Sequence, residues 1–164
     1  MRRFLKFLHT AGAMVTAGGL AAFMFVLANG PAPDALPEYA AMRHSLAMLS
    51  KWLITPGMVV TVASGLLAMG VHYPFHNLGW VWLKALSGLL IFEATLASVD
   101  SPAREAAEWS RKASTGEIDA VALAGLVEDK WAAWWALLVL FAANVVLGIW
   151  RPRLTRRRTS RQLE

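Results

Sequence analysis

Residues 4–27 read FLKFLHTAGAMVTAGGLAAFMFVL, and this stretch decides the fold. A helix needs about 20 consecutive, mostly apolar residues to cross a bilayer, and this run supplies them. Three further blocks of the same character lie at 52–71, 80–98 and 131–150. Lipid offers no hydrogen-bond partner to a bare amide or carbonyl, so segments of this length must close their backbone bonds internally as helices. Composition agrees: 57% of the chain is hydrophobic and only 16% charged. The expectation is an all-α protein, a four-transmembrane-helix bundle with a small extracytoplasmic helical cap. Residues 1–150 form its one domain, and 151–164 are a basic cytoplasmic tail.

The N-terminal MRR followed by an apolar run resembles a secretory signal, and RRFLK a twin-arginine signal. The run exceeds the usual signal length, a histidine interrupts it and no A-x-A site precedes NGPAPD, so it is expected to stay as the first span. Charge sets the orientation. Arg2, Arg3, Lys6, Arg151, Arg153, Arg156, Arg157, Arg158 and Arg161 lie on the side of both termini, nine basic residues against the single acid Glu164. The opposite side holds six basic residues and nine acids. Both termini are therefore expected in the cytoplasm of a bacterium, with the chain multi-pass in the inner membrane. The tail RPRLTRRRTSR, directly after a membrane helix, reads as a topology anchor touching anionic lipid rather than as a nucleic-acid patch. Cysteine is absent. Disulfides, iron–sulfur clusters, thiolate catalysis and covalent haem attachment are thereby excluded. The chain also has no nucleotide loop, catalytic triad or metalloprotease helix, which argues against soluble-enzyme chemistry.

The links carry their own signals. NGPAPDALPEY stops the first helix. AAMRHSLAMLSK has helical periodicity, so the second helix is expected to start near Pro37, project beyond the bilayer and enter it at Trp52. Pro56 should bend it. Residues 99–130 read as the cap: SPAREAAEWSRKA opens on Ser-Pro, a helix start, and TGEIDAVALAGLVEDK holds a second short helix. Trp52, Trp80, Trp82, Trp131, Trp134, Trp135 and Trp150 fall near block ends, as tryptophans that seek the membrane interface do.

Polar residues then fall at one depth. His9 and Lys84 each sit about five residues, roughly 8 Å, in from the cytoplasmic boundary. Counting back along the second and fourth helices puts Ser64, Gly65 and Asn144 at a similar level. Residues three and four apart share a face, so His9 is followed by Gly12, Ala13 and Thr16, and Lys84 by Ser87 and Gly88. Two such faces can pack closely or admit a flat ligand, and a flat ligand held by an imidazole suggests haem. The plainer alternatives are a His9 hydrogen bond to Asn144 or a carbonyl across the bundle, and a Lys84 stem that snorkels to the headgroups. Glu93, deeper in the third span, marks a proton path, a neutral group, or a partner for Arg43 or His44.

The pieces FLHTAG, RHSLAMLSKWLITPGMVVTVASGLLAM and GWVWLKALSGLL, which lie within the first 95 residues, resemble the HemJ-type protoporphyrinogen oxidases, small four- or five-helix membrane proteins that bind haem b. The resemblance implies haem b as cofactor and maps that family's first-helix histidine and third-helix lysine onto His9 and Lys84. The chain would then be a haem-dependent oxidoreductase acting in electron transfer or porphyrin oxidation. A lysine ligates iron only as the neutral amine, and its alternative is to pair with a haem propionate. His72 and His76 are the alternative ligands or propionate partners, and Arg151 could also meet a propionate. A histidine-led first helix also resembles copper-resistance membrane domains of the CopD kind, which would imply metal without porphyrin. The rival class is a cofactor-free accessory subunit or small transporter. Expected partners are membrane lipids, haem, and a second copy or a larger membrane complex.

Overall fold

In the computed structural model, residues 2–71 and 79–150 are described. Their regular structure is all helical: α1 (Arg2–Asn29), α2 (Leu36–Leu49), α3 (Thr55–Val71), α4 (Gly79–Thr95), α5 (Ser101–Ser114), α6 (Ala120–Leu126) and α7 (Trp131–Trp150). Four continuous stretches are long and apolar enough to cross a membrane: Arg3–Asn29, Leu36–Gly70, Val81–Ser114 and Ala120–Gly148. Around the bundle α1 packs on α3, α3 on α4, α4 on α7 and α7 back on α1, while α2 and α5, the parts of the second and third stretches farthest from the α3–α4 link, pack on each other. The first and third spans therefore occupy opposite corners.

The second helix starts at Leu36, with Pro37 in its first turn, where a missing N–H costs nothing. It runs without a break into α3 through a π-helical turn, Ser50–Ile54, in which the Thr55 N–H reaches back to the Ser50 carbonyl. Pro56 follows two residues later, so widening and proline together occupy one place in the helix. The third span does the same. Its Ser-Pro pair at 101–102 does not open a separate cap helix, as the sequence suggested; α4 continues into α5 through a second π turn, Leu96–Asp100. Pro102 cannot donate to the Ser98 carbonyl, and the Trp134 indole N–H donates to that carbonyl instead, at 2.7 Å.

The two π turns touch, and Asp100 ties them together. Its carboxylate, almost fully buried, accepts from the Ser50 hydroxyl at 3.0 Å and the Thr55 hydroxyl at 3.4 Å, and pairs with Arg104 one turn on. Beyond this level the layer is a small soluble-type core of Tyr39, Met42, Leu46, Ala47, Ala103, Ala113 and Leu123. Full burial of Leu123 stabilises it by about 2 kcal/mol. Arg43 is buried there, donating to the Tyr39 hydroxyl at 2.8 Å and pairing with Asp129 at 2.9 Å. α5 ends at Gly116, whose positive φ of 76° lets the Gly116 and Glu117 N–H groups bond back to Ala113 and Lys112.

Trp134 departs from the interfacial reading. It is 2% exposed, edge-on to Phe23 and Trp131, and belongs to the core. Trp52, Trp82 and Trp135 face outward, more than half exposed, as interface residues should.

Candidate functional site

The α1–α3 contact is made of small residues. A Cβ on Gly12 would stand 2.6 Å from the Thr61 hydroxyl and 2.7 Å from the Gly57 carbonyl oxygen, so the two backbones meet at Gly12. Gly57 in turn lies under Thr16 and Val15. Both threonines return their hydroxyls to their own helices, Thr16 to the Gly12 carbonyl at 2.9 Å and Thr61 to the Gly57 carbonyl at 2.8 Å. The close approach is thus a steric fit with no unpaired polar group, the usual way membrane helices associate.

His9 sits one turn before Gly12, in the same contact. Its ring lies against Gly65, and Nδ1 is 2.7 Å from the Thr61 carbonyl oxygen. A carbonyl only accepts, so Nδ1 carries a hydrogen, and in the tautomer that this bond selects Nε2 is the ring nitrogen with the lone pair. Among the described residues Nε2 has no hydrogen-bond partner. An Nδ1–H held by a backbone carbonyl is the arrangement that orients a metal-binding histidine and raises its basicity.

Lys84 engages the other side of the bundle. Its Nζ donates to the Asn144 carbonyl on α7 at 3.3 Å, in space left open by Gly148, where any side chain would collide with the amine. The Asn144 side-chain amide donates to the Ser87 hydroxyl at 2.8 Å, and Ser87 donates to the Lys84 carbonyl at 3.0 Å. Lys84, Ser87 and Asn144 therefore form one polar clasp between α4 and α7. Gly88 has nothing within 4 Å of a Cβ position, and Ala13 is half-buried.

The layer seen in the sequence is thus divided between two helix pairs. The structure joins His9 to Gly65 and Thr61, and Lys84 to Ser87 and Asn144. His9 and Lys84 belong to opposite corner helices, each bonded to a different neighbour. His72, His76 and Arg151 lie outside the described residues. His44 is exposed on α2 and lines a cavity of about 280 Å³ against α5, with Met48, Arg104 and Glu108. Arg43 pairs with Asp129 and not with Glu93. Among the described residues no group of three or more His, Asp or Glu side chains is placed to hold a metal ion.

The sequence reading missed Thr61, Gly148 and the Asp100–Ser50–Thr55 cluster. The i, i+4 run Gly57, Thr61, Gly65 was the available signal for the first. Comparison with family models, curated proteins and solved structures found no match to this chain.

Proposed function

We propose that the chain is a multi-pass protein of the bacterial cytoplasmic membrane, both termini cytoplasmic, that binds haem b through His9 and serves electron transfer or oxidation of a porphyrin-like substrate. One observation supports this above the others: His9 Nδ1–H is committed to the Thr61 carbonyl, which leaves Nε2 as a preset ligand. Imidazole is the common axial ligand of haem iron, and the haem would supply one-electron chemistry. The fit is that of one ligand. The Gly12 face is filled by α3, so it cannot also cradle a macrocycle, whereas Gly88 leaves open space beside α4. Lys84, held near the same depth by the Asn144 carbonyl, suits the role of propionate partner, since an amine that donates to a carbonyl serves equally well as a charged ammonium.

An absorption spectrum of protein purified with haem supplied during expression tests the reading. A Soret band is expected, lost or shifted in His9→Ala and retained in Lys84→Met with weaker haem retention. Absence of the band, or a band indifferent to both substitutions, rejects haem binding at these residues.

A second reading rests on the backbone contact at Gly12 and the α4–α7 clasp: the polar layer is packing glue in a cofactor-free accessory subunit of a membrane complex. It predicts colourless protein whose stability falls on the same substitutions.

A further inference from the structure

Among the described residues, Glu93 is the one acidic side chain within the apolar blocks 4–27, 52–71, 80–98 and 131–150, and the bundle leaves it outward. It is exposed on α4, and among the described residues it makes no hydrogen bond or ion pair. It lies seven residues, roughly 10 Å, below Asp100 and about 20 Å from the opposite end of α4. That depth is hydrocarbon in the membrane reading, on which this inference rests; it is independent of haem. Residues sharing its face are Trp82, Leu86, Leu89 and Ala97, all exposed, with Leu90 beside them 61% exposed. α4 meets α3 and α7, and this stripe is turned away from both.

A carboxylate facing lipid at this depth costs several kcal/mol, and a protonated carboxyl still leaves one donor and one acceptor without partners. The occupant of the face must therefore supply both a donor and an acceptor at one depth. The chain's own exposed cations do not meet that requirement: Lys51, next to the Ser50 that Asp100 holds, lies about 10 Å above Glu93, and Lys6 is at the far end of α1. Because every copy inserts with the same topology, the group of a second copy that is level with Glu93 is its own Glu93. Two carboxylic acids meeting across a two-fold axis close two O–H···O bonds, each acid donating once and accepting once.

We propose that the α4 stripe centred on Glu93 is the contact surface of a homodimer in the membrane, with the two Glu93 carboxyls hydrogen-bonded across its axis. The flanking leucines and Ala97 supply the surrounding packing.

The test uses the full chain in lipid vesicles. Because the natural sequence has no cysteine, single replacements report proximity directly. Ala97→Cys should form an intermolecular disulfide on oxidation, while Phe25→Cys, exposed at a comparable level on α1, should not. Energy transfer measured on dilution with lipid should show Glu93→Leu weakening the dimer about tenfold, the loss of two interhelical bonds, while Glu93→Gln, whose amide is also self-complementary, keeps it. Helical circular dichroism confirms that each variant is folded, which a lipid-facing substitution should leave intact. A folded wild-type chain that stays monomeric overturns the proposal, whether because lipid or a different protein covers the face. So does equal cross-linking from Phe25→Cys, or a dimer indifferent to Glu93→Leu.

Discussion

Replacing Gly12 by alanine tests the α1–α3 contact on which the placement of His9 depends. Its new Cβ would lie 2.6 Å from the Thr61 hydroxyl oxygen, 2.7 Å from the Gly57 carbonyl oxygen and 3.0 Å from the Thr61 amide nitrogen. Ordinary contacts of this kind are about 3.5 Å, so the helices must separate or shift by several tenths of an ångström. Rotating the Thr61 side chain removes one clash, but the two backbone atoms cannot move aside. Overpacking of this type costs about 1–3 kcal/mol, against a propensity gain for alanine over glycine of less than about 1 kcal/mol. Gly18 on the same helix provides the control, since nothing lies within 4 Å of its Cβ position, and Gly18→Ala should be neutral or slightly stabilising. Unfolding in mixed detergent–lipid micelles should therefore separate the two variants by at least about 1 kcal/mol. The double variant Gly12→Ala/Thr61→Ala should stay destabilised, because the Gly57 oxygen remains. If Gly12→Ala unfolds at the same point as Gly18→Ala, the backbones do not meet at Gly12 and the orientation argued for His9 falls with it.

Three further outcomes are expected. Asp100→Ala strips the acceptor from the fully buried Ser50 hydroxyl and should cost about 1–3 kcal/mol in the same unfolding assay, with Asp100→Asn, which keeps a carbonyl oxygen, recovering part of it. Trp134→Phe leaves the Ser98 carbonyl without its indole donor while keeping most of the apolar contact with Phe23; a loss of about 1–3 kcal/mol is expected, and unchanged stability would show that the carbonyl finds another partner. The Thr115 hydroxyl, and then Arg111, hold the Glu117 carboxyl below the usual carboxylate range. A depressed folded-state value makes its contribution present above the unfolded value and lost as pH falls through the folded one, so the protection of amides at the α5 terminus, measured relative to their intrinsic exchange rates, should fall from about pH 5 to pH 3 and be flat above that. Thr115→Ala, which raises only the folded-state value, should shrink that loss and bring its lower end to higher pH.

The sequence was informative about depth and much less so about facing. Counting residues from block ends set Gly65 level with His9 and Asn144 level with Lys84, and the structure puts each pair in contact or one hydrogen bond apart. Depth is legible because each helix rises a fixed 1.5 Å or so per residue from a boundary that apolar runs mark clearly. Facing is not, because a membrane helix is apolar on its lipid side and on its packed side alike, so hydrophobic periodicity cannot say which neighbour a stripe meets. Small residues carry that information only in pairs: Gly12 alone is a gap that α3, α4 or a ligand fits equally well, and it becomes a contact once Gly57 and Thr61 are known to sit opposite. The same limit hid the outer layer. Arg43 and Asp129 are 86 positions apart, and nothing local to either says they meet. Pro56 and Pro102 were read separately, as a kink and as a helix start. Yet both proved to do one thing: each follows a π turn, and the two turns face each other so that Asp100 from one can accept hydroxyls from the other. Only a pairing of the second and third spans at that level would have joined those three observations, and the clue was a carboxylate placed just past the end of an apolar block, with Ser50 and Thr55 just before and after the start of another.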